Sequence, residues 1–175
     1  MSKILQKLTG GDLRSIGRAE EVVEDILKDP DLFAQVFEGI SHEDPRIRMR
    51  SADALEKVSS KYPEYLQPFK ERLIKDVSQI EQKEVRWHVA QMFSYLEYNK
   101  KERDTVIKIL FSYIDTSKSN IVRVFSMQTL AELAKKDNNI KPMILKKIKQ
   151  AIKTGSPAVK NRGQKLIELL EKIIE

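Results

Sequence analysis

The chain has 175 residues, 33% of them charged, a net charge of +6 and no cysteine. That length can bury one sizeable core, and the missing thiols exclude disulfides and Cys-ligated zinc. No apolar run approaches the roughly 18 residues of a transmembrane helix, and the N-terminus (Met1-Ser2-Lys3-Ile4-Leu5) lacks a signal-peptide core. The expectation is a soluble cytoplasmic protein with no membrane contact.

In chain order, apolar residues fall at i, i+3, i+4 and i+7 without strand alternation, so nearly everything reads as helix. A short opening helix is predicted over 3–9. Longer ones follow at 12–28, 30–41, 45–61, 64–80, 83–98, 102–115, 119–136, 139–154 and 157–174. Asp44-Pro45 and Ser156-Pro157 are cap-then-proline openings, and Ser119 has the same register. In each, a side-chain oxygen accepts a free amide, and Pro fits the first helical slot, which needs no amide. Gln82 occupies that register in the second repeat and caps less well. The short connections force neighbouring helices to be antiparallel. No linker or low-complexity stretch interrupts them, so residues 1–175 read as a single domain.

The elements repeat. An apolar-basic doublet recurs as Ile47-Arg48, Val85-Arg86, Val122-Arg123 and Val159-Lys160, at steps of 38, 37 and 37 residues. Pro30, Pro68, Thr105 and Pro142 lie 17 residues upstream of the four apolar members. Further apolar columns are Val36, Ile74, Phe111 and Ile148 on the first helix of each pair. On the second helix they are Leu55, Phe93, Leu130 and Ile167, then Val58, Leu96, Leu133 and Leu170. Such a period marks a stacked array of helix pairs, each burying its stripe against the next. Leu13-Arg14 imitates the doublet out of register, as a degenerate end repeat would. At the other end Lys165, Glu168, Glu171, Lys172 and Glu175 would keep an outer face wet.

Asp44-Pro45-Arg46-Ile47-Arg48, followed by Ala52, Ala54-Leu55 and Val58, resembles the second helix of a HEAT repeat. Tyr65-Leu66-Gln67-Pro68-Phe69 resembles the proline-bearing first helix. The resemblance covers roughly 30–174, with Thr105 and Lys160 departing from the family's Pro and Arg. It implies an all-α fold: a right-handed HEAT- or armadillo-like α-solenoid of stacked antiparallel helix pairs, about four and a half repeats long. First helices would lie on its convex side and second helices on its concave side. It also implies binding of proteins or, less often, nucleic acid.

The repeat register then places candidate sites. Two residues past the apolar member stand Met49, Trp87, Val124 and Asn161, about 200° around the helix from the core stripe. Trp87 is the only tryptophan, and Trp is over-represented in binding hot spots. Met49, Trp87 and Val124, flanked by Arg50, His88 and Phe125, are the expected protein-binding patch. With Arg50, Arg86, His88 and Arg123 on its rim, it would favour an acidic or amphipathic helical ligand. The basic column Arg48, Arg86, Arg123 and Lys160 reads instead as a fastener between repeats.

Charge is unevenly spread. Residues 1–45 carry five Lys/Arg against ten Asp/Glu, a net of −5, whereas residues 135–165 carry ten against one, a net of +9. Lys146, Lys149, Lys153, Lys160, Arg162 and Lys165 are therefore candidate nucleic-acid contacts, the weaker alternative because no aromatic residues lie among them for base stacking. Opposite ends of opposite charge also allow head-to-tail self-association. No catalytic, phosphate-binding or metal-binding motif is found, so the expectation is a non-catalytic scaffold without cofactors.

Overall fold

The computed structural model describes residues 2–172. The described residues form helices and turns without a strand. The α-helices are α1 (Lys3–Gln6), α2 (Ala19–Lys28), α3 (Leu32–Gly39), α4 (Pro45–Ser59), α5 (Pro63–Leu66), α6 (Lys70–Lys75), α7 (Lys83–Met92), α8 (Lys100–Thr116), α9 (Asn120–Lys136), α10 (Lys141–Thr154) and α11 (Pro157–Lys172). The architecture of the described residues is all-α, as expected. Residues 173 and 174 of the predicted last helix, and Glu175, lie outside the described residues. The chain divides into two compact units, Met1–Glu97 and Tyr98–Glu175.

In unit 1, α4 is the central element, packed between α2 and α7 on its two sides and against α3 and α5. The second helices α2, α4 and α7 therefore lie side by side as one layer. The apolar columns face inward: Ile47, Leu55 and Val58 of α4 and Val85 and Val89 of α7 are at most 1% exposed. Aromatic contacts join α3 to the helix that follows α4. Phe37 stacks on Phe69 at 4.5 Å between ring centroids, and Phe33 meets Tyr65 edge-on at 6.0 Å. Gly39 lets α3 approach closely, since a Cβ there would come within 2.2 Å of Ser51 Oγ on α4. In unit 2, α8 packs on α9 and α10 on α11, with α9 beside α11. Val122, Leu130, Val159 and Leu170 carry the same inward columns.

Caps account for several helix starts. Asp44 accepts the Arg46 amide at 2.8 Å and Ser119 the Val122 amide at 3.5 Å. The start of α8 is earlier than predicted because Asn99 and Glu102 form a capping box, each side chain bonding the other's amide at 2.9 Å.

Two predicted helices differ from what the periodicity suggests. The 12–28 helix begins only at Ala19. Gly10, Gly11 and Gly17 have φ of 75°, 65° and 57°, the left-handed region that helices exclude and glycine tolerates. Residues 11–18 form an exposed loop instead, and Leu13-Arg14 is no helix start. The 64–80 helix is broken into α5, a 3-10 turn at Gln67–Phe69, α6 and a second 3-10 turn at Val77–Gln79. Pro68 is the physical reason for the first break: it brings no amide hydrogen, and its ring crowds the preceding turn. The 83–98 helix likewise ends in a 3-10 turn at Phe93–Tyr95.

Candidate functional site

The doublet's basic member acts as a fastener in unit 1. Arg48 donates from Nη1 to the carbonyls of His42 and Glu43 in the turn before its helix, at 2.8 and 2.9 Å. Its Nε reaches Gln82 Oε1 at 2.8 Å, and Gln82 Nε2 returns to the Pro45 carbonyl at 2.9 Å. The weak cap residue is thus a cross-brace between α4 and the start of α7. Arg86 repeats half of the pattern, donating to the Ile80 carbonyl six residues back.

Arg50, expected on the rim of a binding groove, is somewhere else. It is 1% exposed. Its guanidinium donates to the carbonyls of Leu8, Thr9, Gly10, Asp12 and Ser15 at 2.7–3.1 Å. The glycine-rich loop is wrapped around it: a Cβ at Gly17 would come within 2.9 Å of the guanidinium carbon. A planar fork of five donors suits this ring of carbonyls. A groove ligand has no access to that charge.

The second-helix layer of unit 1 carries a different constellation. Trp87 on α7 is partly buried and Met49 on α4 is 6% exposed. Four residues beyond each, on the same face, stand Gln91 and Asp53. Asp53 is 8% exposed and accepts from Lys57 Nζ at 2.8 Å. Lys57 in turn donates to Glu20 of α2 at 2.5 Å, tying α2 to α4. Burial works against the Lys57 charge, but its bonds to Asp53 and Glu20 outweigh that and raise its pKa.

Two more polar contacts join α4 to α7 and the 3-10 turn that follows it. Tyr95 donates its hydroxyl to Glu56 Oε1 at 2.6 Å. Burial raises the pKa of Glu56, opposed by this bond and reinforced by Asp53. The Tyr95 phenol is raised as well, by burial and by Glu56. His88 Nε2 stands 3.9 Å from Asp53 Oδ1, with the Trp87 ring edge-on to the imidazole at 5.3 Å. Burial holds the His88 pKa down to about 3, and Lys57 contributes. His88 is therefore neutral at pH 7. Among the described residues nothing hydrogen-bonds its buried Nδ1.

The expected patch is thus partly assembled. Met49, Trp87 and His88 belong to one face of unit 1. Val124 and Phe125 lie on α9 in unit 2, both partly buried. Glu20, Glu56, Lys57 and Tyr95 were not anticipated there. A signal existed: six past the doublet's apolar member stand Asp53, Gln91, Gln128 and Lys165, a polar column on the same face. The basic set of unit 2 is divided too. Lys149 pairs with Glu171 at 2.8 Å, and Arg162 donates to Gln128 at 3.2 Å. Lys146, Lys153, Lys160 and Lys165 are exposed, the first two on α10 and the others on α11. Among the described residues no group of His, Asp and Glu is arranged to hold a metal, and no helix is long and apolar enough to cross a membrane.

Comparison with curated proteins and with solved structures found no match. A family model described as a HEAT repeat domain matches residues 11–166. The match begins inside the glycine loop and takes in every helix from α2 to α10 and most of α11. The chain belongs to the HEAT repeat family, a family of helical repeat scaffolds.

Proposed function

We propose that this protein is a non-catalytic scaffold that binds a protein or peptide on the second-helix face of its repeats. One observation carries the reading: Trp87 is left partly exposed in the register Met49 takes on α4, next to His88, which faces Asp53, on a layer of helices whose apolar columns are otherwise turned inward. A large aromatic residue bordered by polar groups on a rigid helical face is the anatomy of a binding hot spot. The 37–38-residue register from Pro30 onward supports one repeat domain for the chain, and the cysteine-free composition suits the cytoplasm. The test is retention of co-purifying protein by the wild type and by Trp87→Ala. The variant is expected to keep its helical circular dichroism and lose the partner. Unchanged retention overturns the assignment, and loss of helicity places Trp87 in the core.

A second reading rests on the charge of unit 2. Residues 98–175 carry 17 Lys/Arg against eight Asp/Glu, a net of +9, whereas residues 1–97 carry 15 against 18, a net of −3. Exposed Lys146, Lys153, Lys160 and Lys165 would be its phosphate contacts. An electrophoretic shift with duplex DNA or RNA that weakens with salt supports it. No shift at low salt removes it.

A further inference from the structure

We infer that the second-helix face of unit 1 takes a cationic side chain, a lysine or arginine of a basic helical or extended peptide, between Trp87 and the carboxylates of Asp53 and Glu56. The inference rests on the scaffold reading above and names its partner's chemistry. Three carboxylates, Glu20, Asp53 and Glu56, line this face and its edge around the ammonium of Lys57. The other cations of this face already face carboxylates: Lys83, one turn before Trp87, stands 3.7 Å from Glu84, and Arg46, one turn before Met49, pairs with Asp44 at 2.7 Å. Arg50 is enclosed by the five carbonyls of the glycine loop, and His88 is buried and uncharged at neutral pH. Arg86 is turned to the Ile80 carbonyl in the turn before α7. An acidic ligand would therefore meet like charge.

The carboxylates are poorly neutralised where they stand. Glu56 is held in the α4–α7 seam by a neutral phenol rather than a cation, and its burial disfavours the charged form. A partner's ammonium or guanidinium would supply the missing counter-charge. Asp53 shares its one lysine with Glu20. Trp87 adds an aromatic surface on the neighbouring helix, and a cation is drawn to the face of an indole more strongly than to any other side-chain ring. Carboxylate beside aromatic is a pairing that recognises a basic side chain by charge and by its apolar stem together.

Trp87 is the only tryptophan, so its emission reports on this site in the intact chain. The probes are two alanine-based peptides without aromatic residues, one carrying lysine and arginine along one face and its counterpart carrying glutamate. The basic peptide is expected to shift the emission saturably, with an affinity that falls as salt is raised. The Asp53→Asn/Glu56→Gln double variant should bind it at least tenfold more weakly. Glu56→Gln alone serves if the double variant loses helicity, and should weaken binding several-fold. A response to the acidic peptide and not to the basic one overturns the inference but leaves the face as a binding surface. Unchanged affinity in the folded variant also overturns the charge assignment alone. No response to either peptide overturns the inference, while the scaffold reading is judged separately by partner retention in Trp87→Ala.

Discussion

Arg50 and His88 occupy the same register in successive repeats, three past the apolar member, and both are buried for different reasons. Arg50 is fully hydrogen-bonded, so its removal strands five carbonyls and loosens the loop. Arg50→Met is expected to lower unfolding free energy by about 3–5 kcal/mol in denaturant titrations. Gly17→Ala should destabilise in the same direction, because its φ of 57° disfavours any side chain and its Cβ would strike the guanidinium. His88 sets a pH dependence. Its folded pKa of about 3 lies below its ordinary value of 6.5. Between those values the unfolded chain binds the extra proton, so stability is full above pH 6.5 and falls as pH drops toward 3. Unfolding midpoints at pH 7 and pH 5 should differ less in His88→Phe than in the wild type. At this scale the sequence misleads: the basic letter at position 50 looks the same whether it meets solvent or a ring of carbonyls 35 to 42 residues away.

Helices are legible to the extent that their signals are local. The Asp44-Pro45 and Ser119 starts are read correctly because cap, proline and apolar period lie within a few residues. The capping box at Asn99 and Glu102 was equally local and would have set the start of α8. Asp44 also illustrates how a cap responds to acid. Its carboxyl is held at about 2 by the Arg46 side chain and backbone amide, so the stabilisation it gives is present above its ordinary pKa and is lost as pH falls toward 2. Asp44→Ala is expected to cost about 1 kcal/mol at pH 7 by denaturant unfolding, a difference that narrows in strong acid. The glycine loop fails as a helix for a reason spread over two elements. Its apolar spacing suits a helix, but three left-handed glycines and the side chain of Arg50 on α4 hold it open.

For the molecule as a whole, the period of 37–38 residues and the uneven charge are properties of the complete chain. The net −3 of residues 1–97 and +9 of residues 98–175 predict opposite responses to polyanions. Changing Lys146, Lys153, Lys160 and Lys165 together to Gln should abolish any low-salt DNA or RNA shift and leave peptide binding at Trp87 unaltered. A shift that survives those four changes would show that these lysines do not make the contacts. Light scattering across salt concentrations tests whether the opposed charges join chains head to tail: a monomer at low salt argues against it.

By itself the sequence determined the helix content, the repeat register and the apolar columns, because burial stripes and caps are encoded by residue type at fixed spacing. It also placed Trp87 in the register of Met49 and Val124, since the register says which direction each helical position faces. Only the tertiary structure decided which charges are available. Arg48 and Arg50 are consumed by backbone carbonyls, His88 is neutralised by burial, and Lys57 and Glu56 of α4 meet Glu20 of α2 and Tyr95 of the turn after α7. The free energy of a charge depends on the groups and the water within a few ångströms of it, and those neighbours lie tens of residues apart in the chain.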